Sequence, residues 1–226
     1  MGLGHNPSII TDGLVLALDA ANNRSYPGSG TSWFDLSGFV RTGTLTNGPI
    51  YDSGNNGSIS FDGVDDYVQG NIAVTGNTNS TMLGFVNVTL NKRGAFFRNG
   101  SGNNGYAIGI GDADFDVNGN NMLMLFPQVR WITSLNTWDS GWQMVTMTLD
   151  NSGVPRAYKN TSLIITSSGV SANAATTSYY LGRNVGDEIT PRAAQCKIAN
   201  FMMYNRALSA TEITVNFNAL RSRFGI

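Results

Sequence analysis

The chain has 226 residues, enough for one domain with a sizeable core, and carries 14 basic against 15 acidic side chains, a formal net charge of −1. Charged residues make up 13%, against roughly 25% in an ordinary globular domain, and no Lys/Arg cluster supplies the footprint of a nucleic-acid binder. One cysteine, Cys196, excludes an internal disulfide, and one histidine, His5, excludes Cys/His zinc spacings.

Polarity comes instead from Asn, Ser and Thr, with 27 glycines for turns. That mixture is poor in helix formers and rich in strand and turn residues, so the chain should be nearly all β. The start, MGLGHNPSIITDG, lacks the basic head and apolar middle of a secretory signal, and Asn6 stands where a myristoylation motif wants Ser or Thr. No apolar run reaches the roughly 18 residues of a membrane span. The expectation is a soluble protein made in a host cytoplasm, with no membrane partner. The sequons at Asn56, Asn79, Asn87, Asn99 and Asn160 are what an Asn/Ser/Thr-rich chain yields by chance.

Residues 1–12 read as an arm and 13–226 as a single domain. Within it, Leu14 to Leu18 is an apolar run of the buried-strand kind, and a loop rich in Asn, Pro, Gly and Ser follows from Asn22 to Thr31. Ser58 to Phe61 alternates with period two. Met82–Leu90, Tyr106–Ile110, Met122–Phe126 and Val129–Thr133 read as further strands. The clearest is Trp142 to Asp150, with Val145, Met147 and Leu149 on one face and Trp142, Met144, Thr146 and Thr148 on the other. Strands near Pro155–Lys159, Leu163–Ile165, Tyr179–Gly182 and Lys197–Tyr204 follow. Many short strands separated by turn signals predict an antiparallel β-sandwich of jelly-roll type. The C-terminus is the exception: Ser209-Ala-Thr-Glu212 is a capping box, and Ile213, Phe217, Leu220 and Phe224 form one stripe of a short α-helix that docks on the core.

Three patterns could carry chemistry. SFDGVDDYVQ puts Asp62, Asp65 and Asp66 within five residues, and reads as a turn between strands, a cation site or a catalytic pair. Asp112, Asp114, Asp116, Asn118 and Asn120 surround a second acidic segment. There Asp114 to Gly119 satisfies the opening D-x-D-x-N-G of a calcium loop, but Leu125 stands at the twelfth position, where a bidentate carboxylate belongs. It reads either as a truncated calcium loop or as an acidic loop between strands; no cofactor is required. Trp131 and Trp138, near polar loops, read either as core or as platforms for a sugar.

The tail IANFMMYNRALSATEI (Ile198 to Ile213) resembles the closing signature of concanavalin A-like, laminin G-like jelly-roll domains. SISFDGVDDYV resembles the early strand-turn-strand of that family, Trp142–Asp150 its central strand, and Tyr180-Leu181-Gly182-Arg183 its penultimate strand. Val154 to Ile164 resembles the hairpin after the central strand, with Thr161 where the family usually has Gly. The opening DGLVLALDAANNRSYPGSGTSWFDLSG resembles such domains in structural proteins of tailed, especially marine, phages.

The resemblance implies an all-β sandwich with one short C-terminal helix, and a surface protein of the virus particle: a capsid decoration protein, head-fibre knob or tail appendage. Its implied partners are other virion proteins, capsid or tail subunits, in many copies or as a homo-oligomer, with weak adhesion to a cell-surface glycan. The alternative is a lectin-like carbohydrate-binding module for host recognition. Glucanase relatives cleave glycans with glutamates alternating with aspartate on one strand. Here the two glutamates are Glu188, in a polar loop, and Glu212, in the capping box, so a non-enzyme is expected.

Overall fold

The structure is a computed structural model, and it describes residues 8–74, 79–100, 105–111, 119–125, 132–134, 136–168, 176–184 and 192–226. In chain order the first strands are β1 (Leu14–Asp19), β2 (Ser32–Trp33), β3 (Gly43–Thr46), β4 (Ile50–Asp52), β5 (Ser58–Asp62) and β6 (Tyr67–Val74). Next come β7 (Ser80–Val88), β8 (Gly94–Asn99), β9 (Tyr106–Gly111), β10 (Asn121–Leu125), β11 (Ile132–Ser134) and β12 (Gly141–Leu149). The last are β13 (Pro155–Lys159), β14 (Ser162–Thr166), β15 (Thr176–Leu181), β16 (Arg183–Asn184), β17 (Arg192–Ala193), β18 (Gln195–Ile198) and β19 (Asn200–Tyr204). Helix α1 (Ala210–Leu220) closes the chain, continued by a 3-10 turn over Arg221–Phe224.

Two sheets stack as a sandwich. The first runs β14-β13-β12-β7-β18-β5-β4, with β19 also on β7 and β1 on β19; the second runs β11-β10-β9-β8-β15-β6-β3-β2, with β17 on β8 and β16 on β17. Among the described residues pairing is antiparallel apart from one parallel point, Ala193 beside Ala95. The all-β, antiparallel expectation holds, and so does the face assignment of β12. Val145, Met147 and Leu149 enter the core between the sheets with Phe61, Phe97 and Phe201, whereas Met144 enters a second core on the far side. Helix α1 covers that second core through Ile213, Phe217 and Leu220, and Phe224 stacks on Phe85 at 4.3 Å. Trp142 lies at the rim of the second core, 4.7 Å from Phe224. The first sheet is thus covered on both faces, which is why β7 and β12 are buried along most of their length.

The run expected as one strand over Lys197–Tyr204 is two. Ala199 breaks the ladder, its N–H donating to Phe85 O at 3.0 Å and its carbonyl accepting from Ala20 N at 2.9 Å. β18 and β19 therefore pair with successive halves of β7, and Asn200 Oδ1 takes the Phe85 N–H at 2.8 Å. Strands β3, β4 and β8 lie outside the sequence expectation. β8 is buried on both faces and has no alternation to reveal it. Of Val129–Thr133, residues 129–131 lie outside the described residues. Residues 8–12 of the arm fold back on the helix: Ile10 N donates to Asn216 Oδ1 at 2.8 Å, and Tyr204 OH donates to Ile10 O at 2.9 Å. Among the described residues no helix is long and apolar enough to cross a membrane.

Candidate functional site

Asp62 ends β5 in the first sheet and Tyr67 begins β6 in the second, so FDGVDDYV is an arch over one rim of the sandwich. Gly63 has φ +80, and a Cβ there would lie 2.9 Å from Gln195 Cβ, so only glycine fits this close approach. Val64 N donates to Asp62 Oδ1 at 2.8 Å, Asp62 N donates to Asp66 Oδ2 at 3.1 Å, and Asn47 Nδ2 donates to the Asp65 carbonyl at 3.1 Å. The turn reading of the acidic cluster is therefore what the geometry shows. Asp66 is buried, and burial pushes its carboxyl up; the Asp62 amide opposes this and the neighbouring Asp62 and Asp65 charges add to it. One oxygen of each carboxylate lies within 4.8 Å of the others, an arrangement that could supply part of a calcium shell. Such a shell needs about six to eight oxygens.

Beside the arch opens a polar cleft of about 280 Å³, lined by Asp62, Gly63, Val64, Lys92, Arg93, Ala193 and Gln195. Three segments build it: the arch, the β7–β8 loop that carries the two bases, and the entry to β18. Gln195 faces Asp62 in register. Acidic and basic groups thus share one small concavity, with Val64 as an exposed apolar edge. Such a cleft can fix hydroxyl or carboxyl groups by hydrogen bonds. Lys92 and Arg93 were missed in the sequence, where their one signal is two consecutive bases between strands in a chain with little charge.

The second acidic segment reaches the edge of this cleft only at its end, where Gly119 forms an isolated antiparallel bridge with Lys92. Asp112, Asp114, Asp116 and Asn118 lie outside the described residues, as do Trp131 and Glu188. Asn120 braces the β7–β8 loop: its Oδ1 accepts from Asn91 N at 2.8 Å, and its carbonyl accepts from Trp138 N at 3.0 Å. Of the two readings open for Trp138, core or sugar platform, the structure gives core. Its ring is 2% exposed, stands edge-on to Phe96 at 5.5 Å, and donates Nε1–H to Gly109 O at 3.1 Å. A tryptophan whose N–H is satisfied inside is core, and offers no face to a ligand. Glu212 is committed as expected. Its carboxylate takes both Nη groups of Arg206, at 2.6 and 3.1 Å, and the Ser209 N–H at 2.8 Å. The Arg206 guanidinium first, and then the Ser209 amide, hold it at about 2.

Comparison with known proteins agrees with this geometry. The family model described as concanavalin A-like lectin/glucanases superfamily matches residues 39–214. No curated protein sequence matches the chain. Among solved structures, a mutant of Trypanosoma rangeli sialidase displaying trans-sialidase activity is similar at a TM-score of 0.70 and 17% identity, over 97% of this chain and 35% of that one. The botulinum neurotoxin type G receptor binding domain is similar at 0.68 and 14% identity, over 91% of this chain and 51% of that one. The serotype D binding domain is similar at 0.67 and 13% identity, over 92% and 52%. The chain thus spans about a third of the sialidase and about half of each toxin chain, and at these identities the likeness is one of fold.

Proposed function

Because the chain belongs to the concanavalin A-like lectin/glucanases superfamily, we propose that it is a non-catalytic adhesion module on the surface of a tailed-phage particle, with the rim cleft as its contact for glycan. The observation that carries this reading is the cleft beside Asp62, Lys92 and Arg93: a built polar concavity at loop ends of a rigid sandwich, suited to holding hydroxyls. Two further features support it. Glu212, one of the two glutamates, is consumed by Arg206 and the helix cap, and so is taken from acid/base work. The surface chemistry, low in charge and rich in Asn, Ser and Thr, suits a capsid decoration protein or a tail appendage held by other virion proteins.

Quantitative mass spectrometry of purified particles tests the location. Hundreds of copies per particle support a capsid surface role; a few to a few tens place the chain on the tail or a vertex. None at all overturns the virion reading and leaves a lectin-like module for host recognition, which the likeness to the two toxin binding domains favours. Turnover of a β-glucan by the isolated chain would overturn the non-catalytic part.

A further inference from the structure

The outer face of the second sheet carries a cluster that the rim cleft does not use. On β6, Tyr67, Gln69 and Asn71 alternate with the core residues Val68 and Ile72, so they point away from the core. Tyr180 of β15 lies opposite Gln69 on one side and Arg98 of β8 on the other, while its neighbours Tyr179 and Leu181 face inward. The Tyr67 and Tyr180 rings are 6.4 Å apart and tilted by 49°. Arg183 places its guanidinium over the Tyr67 ring, with Cζ 5.4 Å from the centroid. Two arginines and two tyrosines, from four stretches of chain, therefore meet on one sheet face.

The charge there is distinctive. Arg183 Nε is buried and has no hydrogen-bond partner among the described residues. That atom is closed to a ligand, but the side chain as a whole is only half-buried and makes no salt bridge among the described residues, so a carboxylate meeting its outer Nη groups would supply the missing counter-charge. Stacking on Tyr67 fixes the plane of the guanidinium, and a fixed fork matches a carboxylate in two parallel hydrogen bonds. The half-buried Tyr67 ring beside it offers an apolar edge to the C–H face of a pyranose, with the buried Tyr180 ring backing it, and the exposed amides of Gln69 and Asn71 can take its hydroxyls.

We propose that this face binds an acidic sugar, a carboxylate-bearing glycan residue, with Arg183 holding the carboxylate and Tyr67 the ring. The proposal goes beyond the rim-cleft reading: it adds a second glycan contact on a separate face and names the class of glycan it takes. Arg98, 5% exposed and donating Nε–H to Gly100 O at 2.9 Å, packs beneath the cluster as part of its floor. Neutral sugars would leave the Arg183 guanidinium without a counter-charge, which is the basis of discrimination.

The test is calorimetric titration of the full chain with sialyllactose and with a galacturonic acid trimer, each beside its carboxyl-reduced counterpart, and with inorganic phosphate. The expected result is binding of at least one acid form, at least tenfold weaker binding of its reduced form, and at least tenfold loss in Arg183→Gln. Arg183→Lys should recover only part, because it restores the charge without the fork. Arg24→Gln, at an exposed arginine in the loop after β1, removes a positive charge elsewhere and should leave acid-sugar binding unchanged, and near-ultraviolet circular dichroism checks that each variant is folded. Equal binding of acid and reduced forms, no loss in Arg183→Gln, or phosphate competing as well as the acid sugar would each overturn the proposal. Failure here with the chain still counted on particles removes the acidic-glycan site alone; absence from particles removes the location.

Discussion

Arg223 Nη1 donates to Asp19 Oδ1 at 2.7 Å, joining the turn after the helix to the end of the first strand. The same guanidinium donates Nε–H to Asn55 O at 2.7 Å and Nη2–H to Gly57 O, and its Cζ lies 5.1 Å from the Phe224 ring centroid. A side chain only 10% exposed thus closes three segments around the second core. Arg223→Ala removes a charged donor set from a partly buried site, and should lower stability by about 2 kcal/mol. Urea unfolding of the variant checks this; an unchanged midpoint would show the clasp to be decorative.

How much of this was readable in the sequence depends on how local each cause is. The capping box and the stripe from Ile213 to Phe224 are set by neighbours within one helix, and both form as expected. The faces of β12 follow from strict alternation, and they too are as expected. β8 was invisible because GAFFRN is buried on both faces and does not alternate. The break at Ala199 is imposed by Phe85 of β7 and by Ala20, which no window around Lys197–Tyr204 contains. The cleft and the arginine-tyrosine face depend on strand register: Tyr67, Tyr180 and Arg183 are unremarkable until β6 and β15 pair. Trp138 stayed open between two readings for the converse reason, since polar neighbours in sequence do not report that Phe96 and Gly109 O enclose it.

The Arg206–Glu212 pair predicts an acid limb of stability. Glu212 is held at about 2 in the fold, below its ordinary 4.5, so its contribution is fully present above about pH 4.5 and is lost as pH falls through about 2. Asp52, lowered first by Lys197, and Asp150, lowered first by the Val154 amide, act in the same direction. With Glu212 partly exposed, its share should be about 2 kcal/mol. Urea unfolding at about pH 5 and about pH 3 should show wild type losing more stability than Glu212→Gln, both keeping the two aspartates. Parallel losses would mean that Glu212 contributes no pH dependence.

Gly84 sits inside β7, where a strand glycine needs a reason. A Cβ there would lie 2.2 Å from Asn200 O and 2.9 Å from the Phe97 ring, at the crossing where β18 gives way to β19. Backbone cannot yield as a flexible side chain can, so Gly84→Ala should cost about 3 kcal/mol. A thermal midpoint within a degree or two of wild type would contradict the close approach.

Trp138 makes a prediction that separates its two readings. As a core ring it should cost about 3–5 kcal/mol on replacement by Ala. As a platform it would cost little stability and abolish sugar binding. Calorimetry of Trp138→Phe, which keeps most of the packing and loses only the Nε1–H donor to Gly109 O, should show a modest fall in stability with any glycan binding intact.

Cys196 lies in β18 between Phe61 of β5 and Val88 of β7, 3% exposed. Burial alone pushes its thiol well above the ordinary range, so the reactive thiolate is scarce, and the sheet denies a reagent its approach. Native chain should therefore resist an aromatic disulfide reagent at neutral pH for as long as it stays folded, and react at once in strong denaturant. Reaction at intermediate denaturant should follow opening of the β5–β18–β7 ladder rather than local fraying, because no shorter motion uncovers the sulfur. Fast labelling of the native chain would show that β18 opens on its own, and that the entry to the rim cleft, where Gln195 precedes this cysteine, is a moving part.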